Sequence, residues 1–332
     1  MSDKKLRFGI LGCGMIADFH ADAINSLDNA VLIGVADSNP ERAQAFADKR
    51  GIKAFGSFEA MLESSDIDAV CICTPSGFHA EGAIAALKAK KHVVLEKPMA
   101  INTKDAKRIC KMCEKSGCVL TVICQLRFSE DIKRLKQLVS ENAFGKNVFC
   151  DLYMKYWRSE EYYANGGWKG TKKIDGGGAL MNQGIHGVDA LLYIAGDAKL
   201  LKAKTKTNFH KIEVEDTAVA MLDFANGACG VIEASTCAYP GFERRIEVMG
   251  SNGYAILRES KLEKLVIGDE TLIDSTTEAV SGTASDPSAM SYQLHAMQID
   301  NFIKAINGEE KLLIDHNEGL KAVDLIEKIY RQ

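Results

Sequence analysis

Three groups of residues in this sequence have the types and spacing that chemistry requires. The first is Gly12-Cys13-Gly14-Met15-Ile16-Ala17, a G-x-G-x-x-A turn after an apolar run at 6–11 and before a helical stretch. Gly12 permits the tight turn, Gly14 lets a pyrophosphate approach the backbone, and Ala17 keeps the helix close to the strand. The helix start at Met15 and Ile16 then offers unpaired N–H groups and a positive dipole end to phosphate. Asp37 closes the next apolar run, about twenty residues on, where a carboxylate takes the adenine ribose hydroxyls. Such an acid repels a 2′-phosphate and points to NAD, while Ser38 and Arg42 leave NADP open.

The second group is Glu96-Lys97-Pro98, which follows the strand-like residues 92–95. The third is Asn182, His186 and Asp189, spaced i, i+4 and i+7 along one helical face, while Met181, Ile185, Val188 and Leu192 form an apolar stripe on another. Hydride removal from a carbinol carbon also requires loss of the hydroxyl proton, and a histidine of near-neutral pKa suits that step. A lysine beside the same oxygen stabilises developing negative charge. Lys97 desolvated in a pocket is an alternative proton acceptor, and Asp189 reads equally as a satisfied core hydrogen-bonding group.

The elements that must carry these residues alternate strand and helix from residue 6 to 124. The strands are continuously apolar, as when both sheet faces are covered, so the pattern predicts an α/β domain with a doubly wound parallel sheet. Thr74 and Pro75 then fall at the carboxyl edge of the sheet, where ligands of such folds bind. His79 starts the following helix and either contacts the cofactor or caps the helix, and Gln125 follows the last strand. From residue 125 to 332 the pattern changes to longer strands at 147–157, 214–224, 228–236, 242–249 and 253–258, with turn signals at Asn226-Gly227 and Asn252-Gly253. This second domain is expected to be α+β with a largely antiparallel open sheet. Helices are expected at Pro287–Asn307 and Asn317–Tyr330. The segment 158–175 is polar and aromatic, so Arg127, Trp168, Tyr162, Tyr163, Tyr239 and Arg244 are specificity candidates, since aromatic faces stack on sugars and arginine forks bind anions. Tyr162 and Tyr163 read equally as aromatics tucked under a loop.

The chain has 332 residues, 46% of them hydrophobic and 26% charged, with a net charge of −4. That balance gives no reason to expect nucleic acid or an anionic membrane as partner. No segment reaches the ~20 apolar residues of a membrane span, and the start of the chain has no signal core, so a cytoplasmic protein is expected. Ten cysteines mostly sit in apolar runs, and Cys110-x-x-Cys113 has no second pair at zinc spacing. No metal site is expected.

The glycine turn, Glu96-Lys97-Pro98 and the segment Gly176-Gly177-Gly178-Ala179-Leu180-Met181-Asn182-Gln183-Gly184-Ile185-His186-Gly187-Val188-Asp189 together resemble the Gfo/Idh/MocA oxidoreductases across essentially the whole chain. The resemblance implies a Rossmann domain, then an α+β domain whose sheet mediates oligomerisation, here to a homodimer or homotetramer. It also implies hydride transfer between nicotinamide and a secondary hydroxyl of a sugar, sugar acid, cyclitol or nucleotide sugar. Lys97 and His186 would be catalytic, with Lys97, Arg127, Trp168, Asn182 and His186 toward a small carbohydrate substrate. Many relatives, inositol dehydrogenases among them, carry aspartate four residues before the histidine. Asn182 here, with Gln125-Leu126-Arg127, looks more like the branch acting on nucleotide-linked sugars such as UDP-N-acetylglucosaminuronate. The alternatives are a non-sugar reductase of the same family and an NAD-sensing regulator without chemistry. Retention of both Lys97 and His186 argues against the regulator.

Overall fold

A computed structural model describes residues 5–164, 167–275 and 291–332. The chain divides into two units, residues 1–125 with 291–320, and residues 126–290 with 321–332.

The first unit contains β1 (Leu6–Leu11), α1 (Met15–Asn25), β2 (Ala30–Ala36), α2 (Pro40–Arg50), β3 (Lys53–Ala54), α3 (Phe58–Glu63), β4 (Ala69–Ile72), α4 (His79–Lys88), β5 (His92–Leu95), α5 (Thr103–Ser116) and β6 (Leu120–Val122). The helix boundaries follow from local chemistry. The Asn39 side chain accepts the Glu41 and Arg42 N–H groups, Pro40 takes the first turn, and Gly51 closes α2 in the left-handed region. Asn102 and Gly117 do the same for α5. All six strands are parallel, in the order β3-β2-β1-β4-β5-β6. The direction of winding reverses between β1 and β4, so the carboxyl ends of those two strands border a crevice.

The second unit contains α6 (Glu130–Ser140), β7 (Asn147–Lys155), α7 (Glu160–Ala164), α8 (Ile185–Ala195), β8 (Ala198–Lys206), β9 (Thr217–Phe224), β10 (Cys229–Ser235), β11 (Arg245–Gly250), β12 (Gly253–Arg258), β13 (Lys261–Ile267) and β14 (Glu270–Asp274). Its sheet runs β14-β13-β12-β11-β7-β10-β9-β8 and is antiparallel except for the β7–β10 pair. One face is covered by α6 and α8. The other leaves Phe149, Val219 and Met221 about half exposed.

Two helices close the chain, α9 (Gln293–Ile306) and α10 (His316–Tyr330). Here the expected division at 124/125 needs correction, because residues 291–320 return to the first unit. The reason is the apolar face of α9. Ala296, Ile299, Phe302 and Ile303 are buried in the core that holds Phe8, Ile10 and Val94, and each large side chain so buried contributes roughly 1.5–3 kcal/mol. Gln298 completes the join, accepting from the Cys124 N–H at 3.1 Å and donating to Thr121 Oγ1 and the Val122 carbonyl. The part of the expected helix at Pro287–Met290 lies outside the described residues.

The strands β3, β8, β13 and β14 were not anticipated. β8 carries four lysines, Lys199, Lys202, Lys204 and Lys206, and sits at a sheet edge, where such charges guard an unpaired strand. All ten cysteines are free. Cys110 and Cys113 lie on the buried side of α5, and burial pushes their thiols up to about 11 and about 12. Among the described residues no helix is long and apolar enough to cross a membrane.

Candidate functional site

In the first unit the glycine turn joins β1 to α1. Gly12 has φ of +94°, and a Cβ there would meet the Cys73 carbonyl at 2.8 Å, so this position is glycine for the fold itself. Gly14 differs. It caps α1 with extended backbone and no side-chain cap, and a Cβ placed on it meets nothing within 4 Å. The space above the α1 N-terminus is therefore open, with its first N–H groups directed into it. Met15 borders that space and is 57% exposed; Ile16 is half-buried.

Asp37 is anchored to this turn. Oδ2 accepts the Cys13 N–H and Oδ1 the Asn39 N–H, both at 2.8 Å. Each oxygen retains acceptor capacity for a ribose hydroxyl. Arg42 lies 3.8 Å from Asp37, and Ser38 is exposed beside it. Two buried polar atoms at the carboxyl side of the sheet lack a hydrogen-bond partner among the described residues: the Thr74 hydroxyl after β4 and Gln125 Oε1 after β6. Unmet buried polar groups cost about 1–3 kcal/mol each, so their presence at the ligand edge fits a bound dinucleotide. Phe78, 53% exposed at the same edge, is a residue that the sequence reading missed. A lone phenylalanine in a loop carries no pattern that would reveal it.

His79 is fully buried and ties the two strand-end loops together. Nδ1 lies 2.7 Å from the Pro98 carbonyl and Nε2 2.8 Å from the Thr74 carbonyl. Burial lowers its pKa, while the two carbonyls favour the charged ring. A neutral imidazole can donate to only one of them. Its observed partners are backbone carbonyls. Glu96 is buried, and Lys97 beside it is half-buried.

In the second unit Ala179–Gly184 forms a π-helical turn that leads directly into α8. Glu215 secures it, accepting the Gly178 and Leu180 N–H groups at 3.0 and 2.8 Å, and Tyr330 donates to the same carboxylate at 2.8 Å. A Cβ on Gly178 would collide with the Glu215 carbonyl, and one on Gly177 with the Tyr330 hydroxyl. The glycine run is thus explained by close approach. The turn presents Asn182, Gln183 and His186, all half-buried, while Met181, Ile185, Val188 and Leu192 enter the core as the stripe predicts.

Asn182 donates to Asp175 Oδ1 at 2.7 Å, and Asp175 Oδ2 accepts the Gly170 N–H. Gln183 Oε1 accepts two bonds from Arg158, and its amide donates to Tyr162 Oη at 2.8 Å. The Lys169 ammonium sits 3.8 Å from the centre of the Tyr162 ring. Burial lowers the Lys169 pKa, with the Asp175 charge opposing and that of Arg158 adding. Tyr163 lies against His210, and with Lys169, Lys211 and Ile212 they line a cavity of about 600 Å³. Trp168 is half-buried at the start of this wall.

Other sequence candidates are placed differently. Arg127 is 1% exposed, and its Nε and Nη2 fork onto Asp189 at 2.9 and 2.7 Å. It is held inside the second unit instead of being offered at a surface, and Asp189 is its core partner. Arg244 is likewise buried and donates to Glu259 at 2.8 Å. Tyr239 is 77% exposed and packs edge-on against Trp157.

Comparisons with known proteins agree with this geometry. Residues 6–124 match the model described as "Oxidoreductase family, NAD-binding Rossmann fold", and residues 132–256 match the GFO/IDH/MocA C-terminal domain. Myo-inositol 2-dehydrogenase of Thermotoga maritima is 30% identical over 278 residues, covering 80% of this chain and 79% of its own. D-glucoside 3-dehydrogenase of Escherichia coli is 31% identical, covering 71% of each. The WlbA dehydrogenase from Bordetella pertussis, solved with NADH and UDP-GlcNAcA, superposes with a TM-score of 0.88 at 32% identity, over 99% of this chain and 96% of that one.

Proposed function

Because the chain belongs to the Gfo/Idh/MocA family of NAD-dependent oxidoreductases, we propose that it oxidises a secondary hydroxyl of a nucleotide-linked sugar acid. The observation that carries this substrate class is the polar, aromatic wall of the second unit, where Gln183, Tyr162 and the half-buried Lys169 lie near Asn182, with the buried Arg158 holding Gln183 from behind. An ammonium such as that of Lys169 pairs with uronate or phosphate, and the tyrosines supply faces for a sugar or base. Asn182 engaged by Asp175 supports the same reading. A second carboxylate at 182 would face Asp175 across 2.7 Å, so the aspartate of the inositol-type pattern is disfavoured here.

NAD, when bound, would supply the hydride acceptor. Gly14, the α1 N-terminus, Asp37, Thr74 and Gln125 hold and orient it. In the second unit His186 is the group suited to accept the hydroxyl proton, and in the first unit Lys97 is the group suited to stabilise developing negative charge. We further place the enzyme in the cytoplasm as a homodimer or homotetramer formed through the open sheet face. That face carries Phe149, Tyr153, Val219, Met221 and Val231, which the strand register puts on one side.

A panel of UDP-GlcNAcA, UDP-GlcNAc, myo-inositol and glucose with NAD and NADP, followed by nicotinamide absorbance, tests the reading. Fastest NAD reduction with UDP-GlcNAcA is expected. Preference for myo-inositol would overturn the substrate class, and turnover unchanged in Lys97→Ala and His186→Ala would overturn the mechanism.

A further inference from the structure

Behind Lys97, inside the first unit, three ionisable side chains from three separate elements meet without solvent. They are His20 on α1, Glu96 after β5 and His295 on α9, respectively 0%, 4% and 1% exposed. His20 Nε2 lies 2.7 Å from Glu96 Oε1, and His295 Nε2 lies 3.9 Å from the same oxygen. The two rings meet edge to face with centroids 5.6 Å apart. The second carboxylate oxygen, Glu96 Oε2, accepts the backbone N–H of Lys97 at 3.1 Å. One residue further along, the Pro98 carbonyl is bound by His79. The peptide before Lys97 and the peptide after Pro98 are therefore held by buried side chains.

Stability alone does not account for such a group. Well-packed apolar residues in place of a buried ion pair are often neutral or stabilising, whereas removing one partner is costly. Burial opposes the charged form of His20, but Cys73, Cys71 and Glu96 outweigh it and raise its pKa well above the ordinary value. Burial likewise opposes ionisation of Glu96, yet its hydrogen bond to His20 and the charges around it bring the carboxyl down to about 2. His295 is pushed down to about 4 by burial and by the charge of His20, with Glu96 opposing and Lys97 adding. The other titratable neighbours of the cluster are the Cys71 and Cys73 thiols, His79 and Lys97.

We infer that His20, Glu96 and His295 are positioning residues, a buried hydrogen-bonded cluster that fixes the backbone from which Lys97 acts. His20 keeps Glu96 ionised, and ionised Glu96 holds the Lys97 N–H. His295 closes the cluster against water. This rests on the reading of Lys97 as a catalytic group. The three side chains also present one potential ligand atom each within 4.8 Å of one another. At 2.7 Å the His20 and Glu96 atoms satisfy each other by a hydrogen bond, which favours the ion pair over a metal centre.

The test uses the full chain with NAD and UDP-GlcNAcA, or whichever sugar of the panel is turned over, and the variants His20→Gln, Glu96→Gln, His295→Gln and Lys97→Ala. For His20→Gln and Glu96→Gln the expected result is kcat lower by about ten- to a hundredfold with the NADH dissociation constant within about threefold. A pH profile of kcat moved by half a unit or more, and amide exchange at Lys97 about tenfold faster by NMR, should accompany it. The double variant should be no worse than either single one, since both break one unit. If the singles fold poorly, His295→Gln and the double variant carry the same readouts. An unmoved pH profile and kcat in folded variants, with Lys97→Ala inactive, would overturn the inference alone. Full activity of Lys97→Ala would overturn it together with the reading of Lys97. One equivalent of divalent metal in the purified protein, lost on His20→Gln, would replace the ion pair with a metal site.

Discussion

Arg127 and Asp189 face each other in the interior of the second unit, with two parallel hydrogen bonds of 2.9 and 2.7 Å and both side chains at most 3% exposed. The guanidinium also lies 4.9 Å from the centre of the Tyr193 ring. Removing one partner leaves a buried charge uncompensated. Arg127→Ala and Asp189→Ala should each cost about 3–5 kcal/mol in chemical denaturation. The double variant should recover part of that loss. Arg127→Lys should fail to restore stability fully, because a single ammonium cannot reproduce the fork.

This pair also marks where sequence reading stops. The parallel sheet of the first unit was legible because its strands are apolar throughout and its helices carry caps such as Asn39 and Gly51. The glycine turn and Asp37 were legible because their spacing is set by backbone geometry near one element. Arg127 was read as a ligand for anionic substrate because an arginine beside a domain boundary gives no sign of its partner 62 residues away. For the same reason Asp175 as partner of Asn182, and His295 as neighbour of Glu96, could not be read. α9 belongs to the first unit through side-chain packing, which strand and helix periodicity does not encode. β14 escaped notice as a short exposed edge strand, and β8 through its lysines.

The two glycines of the turn should separate folding from ligand binding. Gly12→Ala forces a side chain into the left-handed region against the Cys73 carbonyl and should cost about 1–3 kcal/mol. Gly14→Val has room in the folded protein and ordinary backbone geometry. Its melting temperature should stay near wild type while NADH affinity, measured by fluorescence titration, falls by about tenfold or more, equivalent to about 1.4 kcal/mol. Intact NADH binding in Gly14→Val would remove the pyrophosphate from this turn.

Asn182→Asp places two carboxylates 2.7 Å apart in a half-buried site. One of them must then hold a proton at neutral pH, so its folded-state pKa rises above the unfolded value. The native state binds that proton more tightly than the unfolded chain, and stability contributed by this site falls as pH rises through the raised pKa. The variant should therefore lie closer to wild type near pH 5 than near pH 8, with a deficit of about 1 kcal/mol or more at the higher pH. Urea denaturation at the two pH values checks this. A deficit larger at pH 5 would contradict the like-charge account.

The open face of the eight-stranded sheet should be where copies of the chain meet. Val231 pairs with Met221 and Glu233 with Val219 across β10 and β9, and Cys229 pairs with Phe149 across β10 and β7. Cross-strand partners share a face, so Phe149, Val219 and Met221 form one apolar area, each about half exposed. The salt bridge of Lys155 with Glu233 at 2.7 Å borders it. An apolar centre with a charged rim is the composition of a protein interface. Met221→Lys adds a charge to that centre while its backbone pairing is untouched. Light scattering with size-exclusion chromatography should show an oligomer for the wild-type chain and a shift toward monomer for Met221→Lys and for Phe149→Lys. NADH affinity should be unchanged in both, because neither residue lies in the first unit. A wild-type monomer, or an oligomer indifferent to both charges, would place the contact elsewhere or remove it.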